Sequence, residues 1–169
     1  SPAIARIAAT RDGRILFTVA GHEMGQGMRN AIANVLVRRL RVEPQALAIQ
    51  IGDTRGAPQH LTAGSWGTAS VAPAAEEAAQ ALLDALAQLA PGHDPALKPA
   101  EVLALAQRER IEAEVRRKAP GQPDAVYGRL QGGMPAPAGP VYPEFVSMSY
   151  AVHFVEVNVE PVTRRIRVS

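Results

Sequence analysis

Two short stretches carry the residue types that could do chemistry. The first is GHEMGQGM, Gly21 to Met28, with three glycines, an acid, a histidine and a glutamine in eight positions. The second is TAGSWGTAS, Thr62 to Ser70, with two glycines and the hydroxyls of Ser65, Thr68 and Ser70. Each stands where a helical pattern begins. The first N–H groups of a helix have no partner within the helix and carry partial positive charge. Gly25 and Gly27 let a ligand approach the backbone with no Cβ in the way, and Gln26 offers two donors and an acceptor. Such a corner suits a phosphate or a polar heterocycle. Taken singly, each is also what an ordinary glycine-rich turn looks like, Gln26 serving as a cap in one and a hydroxyl as N-cap in the other. Taken together, they could grip two parts of one elongated anion.

Nearby templates fail on spacing. A zinc-protease helix needs a second histidine four positions after His22, and Gln26 stands there. A dinucleotide fingerprint needs a third glycine where Asn30 stands, and a Walker loop needs Gly-Lys-Ser/Thr, which is absent. Asp53 lacks an evident catalytic partner and reads as a strand-end residue capping the following loop. Trp66 reads equally as a core anchor or a lid, and Tyr127, Tyr142 and Phe145 as anchors of an extended segment.

The elements that must position these residues follow from periodicity. Ala3–Ala9 and Arg14–Ala20 read as strands joined through Asp12-Gly13, a two-residue hairpin signal. From Gln26 the period lengthens, and Met28, Ile32, Val35, Leu36 and Leu40 share one helical face. Ala46–Ile51 reads as a strand, Gly52–Pro73 as a long loop, and Ala74–Ala90 as an alanine-rich helix with Leu82, Leu83, Leu86 and Leu89. Pro99–Lys118 reads as a third helix with a charged face. Residues 119–145, rich in proline and glycine, read as an extended connector. Val146–Val159 reads as a long strand whose parity slips near Phe154, EPVTRR as a turn, and Ile166–Ser169 as a pairing strand. Hairpin-paired strands with helices in separate runs predict an α+β domain, a mixed or antiparallel sheet packed with about three helices over residues 1–169.

The 169 residues are 47% hydrophobic, 20% charged and only 4% aromatic, so a core must be built from Ala, Val, Leu and Ile. A net charge of +2 is too small to argue for nucleic acid. The chain has no cysteine, so it can form neither disulfides nor thiolate metal or cluster ligands of its own. No apolar run approaches a membrane span. Both ends look cut, which predicts a fragment of something larger.

With the blocks GHEMGQGMRNAIANVLVRRLRVEPQALAIQIGDT, TAGSWGTASVAPAAEEAAQAL and SYAVHFVEVNVEPVTRRIRV in this order, the chain resembles the molybdenum-binding large subunit of the xanthine dehydrogenase and aldehyde oxidase family, bacterial aldehyde oxidoreductase subunits in particular. The blocks cover about two thirds of the chain. The resemblance implies a molybdopterin cofactor, in bacteria often the cytosine dinucleotide, carrying molybdenum. It sets Met24, Gly25, Gln26 and Gly27 along the pterin and its phosphate, and Ala63, Gly64, Ser65, Gly67 and Thr68 at the pterin end or phosphates. It implies hydroxylation of an aldehyde or N-heterocycle carbon with oxygen from water, iron–sulfur clusters and FAD on partner chains or domains, and a cytoplasmic location with the periplasm as alternative. The family's catalytic glutamate and metal-facing glycine loop have no counterpart here, so no catalytic residue and no protein ligand to the metal is expected, and the chain alone should be inactive. Arg164 stands where the family has glycine, which puts a tight turn there in doubt. A phosphate- or nucleotide-binding enzyme of another sort, or a non-catalytic interaction or scaffold domain with two plain loops, remains the alternative.

Overall fold

A computed structural model describes residues 2–58, 62–134, 136 and 152–168. The chain divides into two compact units, Ser1–Gly139 and Pro140–Ser169.

In the first unit, strands β1 (Ala3–Thr10) and β2 (Ile15–Val19) pair antiparallel. A turn forms at Asp12-Gly13, but over three residues rather than the two that the pair signals. Gly13 is left-handed at φ 91°, Thr10 N–H donates to Arg14 O and Gly13 N–H to Thr10 O, each at 3.0 Å, a three-residue loop with a glycine bulge. Helix α1 (Met28–Leu40) then returns the chain to β3 (Leu47–Gln50), which lies parallel beside β2. This β2–α1–β3 crossover places the first glycine turn at the end of a strand and the start of a helix, where ligands bind in open α/β sheets.

Helix α2 runs from Trp66 to Leu89, two turns longer than its pattern suggests, because it passes through Pro73. A proline inside a helix loses one hydrogen bond and crowds the preceding turn. Here Gly67, Ser70, Val71, Ala74, Ala75, Ala78 and Ala79 form a continuous buried stripe of small residues, and that burial outweighs the local cost.

The helix expected over Pro99–Lys118 is a correction. Helix α3 stops at Leu105, and Arg110–Arg117 is strand β4, antiparallel to β1. Gln107 takes a left-handed φ of 54°, with Arg108 N–H donating to Leu103 O at 2.9 Å and Gln107 N–H to Ala104 O at 3.2 Å. That pair of bonds is a Schellman stop, hidden in the sequence because glutamine stands where glycine usually does. Beyond it, Ile111, Ala113 and Val115 face the core while Arg110, Glu112, Glu114 and Arg116 face out.

The sheet order is β3-β2-β1-β4. Its inner face, with Ile7, Ile15, Phe17 and Val19, packs against Met28, Ile32 and Leu36 of α1 and Leu82 and Leu86 of α2. Each such side chain contributes about 1.5–3 kcal/mol by leaving water. Surface pairs link neighbouring elements: Arg39 of α1 to Glu76 of α2 at 2.7 Å, Arg117 of β4 to Glu77 of α2 at 3.0 Å, and Arg6 of β1 to its β4 neighbour Glu114 at 2.8 Å. Within the stretch read as an extended connector, Ala125–Gln131 is a short helix, α4, that buries Val126 and Leu130. Tyr127 on it is half-buried, and that burial pushes its hydroxyl pKa up. The fold is α+β, as expected.

In the second unit, β5 (Val157–Val159) and β6 (Ile166–Val168) form an antiparallel hairpin. Arg164 adopts φ 59° and donates its N–H to Glu160 O at 2.8 Å. The turn closes tightly although arginine occupies the glycine position. The long strand expected from Val146 is strand only at Val157–Val159 among the described residues; Val152–Glu156 lie outside any strand, with Phe154 94% exposed, and Val146–Ala151, Tyr142 and Phe145 fall outside the described residues.

Candidate functional site

The two glycine-rich turns meet. Met24, Gln26, Thr62, Ala63, Gly64, Ser65, Trp66, Gly67 and Thr68 line one open hollow of about 310 Å³. Ala63, Gly64, Ser65, Gly67 and Thr68 of the second stretch line it, as do Met24 and Gln26 of the first. Gly25 and Gly27 flank Gln26 but are not part of the lining. Ser70 is not either; it is buried on the core side of α2, with its hydroxyl unpartnered among the described residues.

Two contacts that the sequence does not announce stitch the turns together. Thr62 Oγ1 accepts the His22 N–H at 2.9 Å and lies 3.3 Å from His22 Nδ1. The fully buried side chain of Met28 lies between the glycines of both turns: a Cβ added to Gly21 would meet its sulfur at 3.1 Å, and one added to Gly67 would meet its Cε at 2.5 Å. A side chain at Gly67 would therefore force the end of Met28 to shift, and one at Gly21 would press on its sulfur.

Within the first turn the polar groups are largely spoken for. Gln26 Nε2 donates to His22 O at 2.6 Å, and its Oε1 accepts the Met24 N–H at 2.7 Å. The Glu23 carboxylate accepts three backbone N–H groups: Gly25 and Gly27 on Oε1, each at 3.1 Å, and Arg29 on Oε2 at 2.8 Å. The bond from Arg29 N–H is the chief reason its carboxyl is held below the ordinary glutamate pKa. So the α1 amides that spacing offers to a ligand are in part already satisfied by the chain itself. Glu23 is the residue of this turn whose contacts pattern reading misses.

The second turn differs. Ser65, the residue before α2, is left-handed at φ 60° and makes no side-chain cap bond. A non-glycine residue there is strained. The first amide of α2, Trp66 N–H, donates to Ala63 O at 3.0 Å, and Gly67 and Thr68 of the opening turn line the hollow beside Ser65 and Thr62. Trp66 is half-buried, its indole against Gly64, and Met24 is 67% exposed. Trp66 thus forms a wall of the hollow rather than a core anchor. Hydrogen-bond donors at one end and flat apolar surface along the sides suit a heterocycle bearing a phosphate, so these residues fit part of a pterin cofactor.

Asp53 closes its own loop. Its carboxylate accepts Arg55 N–H at 2.9 Å, Arg55 Nη2 at 2.7 Å and Gln50 Nε2 at 2.6 Å. The Arg55 side chain foremost holds its pKa far below the carboxylate range. This is the loop-capping role expected. Arg29 in turn reaches from α1 to Ile49 O, bracing the first turn against β3.

The whole chain, residues 1–169, matches the molybdopterin cofactor-binding domain family. No curated protein matches its sequence. A solved Cu,Mo-CO dehydrogenase in its carbon monoxide reduced state shares the fold at TM-score 0.58 and 20% identity, over 70% of this chain and 18% of that one. Reconstituted CO dehydrogenase from Oligotropha carboxidovorans gives 0.54 at 20% identity over the same shares. The aldehyde oxidoreductase from Desulfovibrio desulfuricans gives 0.47 at 18% identity, over 82% of this chain and 15% of that one. The chain thus spans less than a fifth of the length of these solved structures. None of its described helices is long and apolar enough to cross a membrane. By its match along the full sequence, the chain belongs to the molybdopterin cofactor-binding domain family, as its likeness to the molybdenum-binding subunit of the xanthine dehydrogenase and aldehyde oxidase family implies.

Proposed function

We propose that the hollow between the two turns holds the pterin and phosphate part of a molybdopterin cofactor, as a segment of a molybdenum hydroxylase. The observation that carries this reading is the shared hollow, with Gln26 on one side and Ser65 on the other. The Gly67 and Thr68 amides, at the positive start of α2, take the anionic end. The hydroxyls of Ser65 and Thr68 complete its hydrogen bonds, Ala63 and Gly64 allow it close approach, and Met24 and Trp66 cover its flat surface. Gln26 fixes the orientation through the donor hydrogen it has left, with Gly25 and Gly27 setting the backbone around it. The hollow is small for a complete dinucleotide, so this chain grips one portion and other segments grip the rest.

When bound, the molybdenum group supplies two-electron oxidation of an aldehyde or N-heterocycle carbon with water as oxygen source, the electrons leaving through iron–sulfur and flavin centres of partner subunits. The cytosine dinucleotide form and a cytoplasmic setting complete the reading. The residues of this chain bind and orient; the catalytic base belongs to another segment.

Thr68→Asp tests the site. An acid at the third position of a helix suits the helix itself, so the thermal midpoint should not fall. The same charge repels a phosphate, and molybdenum and pterin content of the purified holoenzyme should drop roughly tenfold, about 1.4 kcal/mol. Wild-type content in this variant would sink the assignment.

A further inference from the structure

We propose that Glu23 is the positioning residue of the cofactor turn: its carboxylate, an anion built into the chain, fills the start of α1 and fixes the backbone that carries Gln26. This rests on the cofactor reading above and deepens it, because it assigns the two helix starts different tasks.

Gly25 and Gly27 are both left-handed, at φ 96° and 78°, and no atom lies within 4 Å of where a Cβ would stand on either. Their glycine identity is therefore required by conformation rather than by space. Such a backbone turns the N–H groups of Gly25 and Gly27 toward one point, a concave nest that suits an anion. That point is occupied by Glu23 Oε1, while Oε2 takes the Arg29 N–H one turn into the helix. Gln26 lies between the two glycines. Its side chain is clamped between His22 O and Met24 N–H, so its direction is dictated by the backbone that Glu23 holds. The carboxylate is exposed and ionised at neutral pH. Being tethered four residues or fewer from the amides of Gly25 and Gly27, it competes for the nest at a high effective concentration. A phosphate arriving from solution finds this nest filled. The anionic end of the ligand is thereby directed to the start of α2, where no carboxylate lines the hollow.

Two variants of the holoenzyme test this. Glu23→Gln keeps the size but replaces one acceptor oxygen with a donor, leaving one set of N–H groups facing another. Molybdenum and pterin content should fall roughly tenfold. Glu23→Ala empties the nest, and sodium formate present during cofactor loading should restore part of the content, while sodium chloride at the same ionic strength should not. Wild-type content in Glu23→Gln, or a deficit in Glu23→Ala that formate leaves untouched, overturns the proposal. Thr68→Asp separates the two ideas. If it loses cofactor while Glu23→Gln does not, only the positioning role fails; if both keep a full complement, the cofactor site itself is wrong.

Discussion

At the start of α1 the chain supplies its own carboxylate; at the start of α2 it supplies none. Both corners have the same parts: a left-handed residue before the helix, glycines nearby, and amides without helical partners. In the first, Glu23 satisfies Gly25, Gly27 and Arg29. In the second, Ser65 makes no cap bond although it is serine, a residue type that normally caps well. A carboxylate held on three amides makes a rigid support, whereas at the start of α2 Gly67 and Thr68 line the hollow with no carboxylate beside them. In the function proposed above, one helix start is frame and the other is grip, and sequence spacing alone treats them as equals.

The comparison can be broken most forcefully at the residue the corners share. Met28→Ala removes the buried side chain that touches both glycine turns, and such truncations cost about 2–5 kcal/mol. The thermal midpoint should fall and both turns should loosen together. If only the first turn responds in hydrogen exchange, the two do not form one site. Ser65→Gly acts on the grip alone. Relief of left-handed strain, less the added freedom of glycine when unfolded, predicts a gain of up to about 1 kcal/mol. Cofactor content should move the opposite way, through loss of the hydroxyl. A rise in both would show that the serine side chain makes no contact. The smallest effect is with pH. The Glu23 carboxyl is depressed in the folded state, so its contribution is complete above the range of an unfolded glutamate and is lost as pH falls through its lower folded value. On acidification the amide NMR signals of Gly25, Gly27 and Arg29 should shift along one titration curve while those of Gly67 and Thr68 stay flat, because no lining residue beside them titrates. Equal movement in both sets would erase the distinction.

Much of the scaffold was legible because local signals agreed with tertiary packing. Asp12-Gly13, the Met28–Leu40 stripe and the strand before Gly52 all fell where periodicity placed them. Failure came where a strong signal was overruled. Pro73 suggests a boundary, but a buried stripe of small residues carries α2 through it. Gln107 hides a helix stop, so the strict alternation of Arg110–Arg116, a strand signature, was absorbed into a helix. Pro- and Gly-rich residues 119–145 mask α4. In the site, the coming together of Gln26 and Ser65 could be anticipated from two matching helix starts. Thr62, Met28 and Glu23 could not, since their roles depend on distances across the fold. A hydroxyl forty positions from its partner, or an acid whose three amides lie around a turn, leaves no periodic trace.

The pairing of β1 with β4 joins residues such as Ala3 and Arg117 that are far apart along the chain. During synthesis β1 and β2 can zip soon after emerging, but the other edge of β1 stays bare until more than a hundred residues have left the ribosome. An uncovered strand edge rich in alanine and isoleucine is a template for unwanted pairing. Chaperone dependence should therefore peak in that interval and end when β4 arrives.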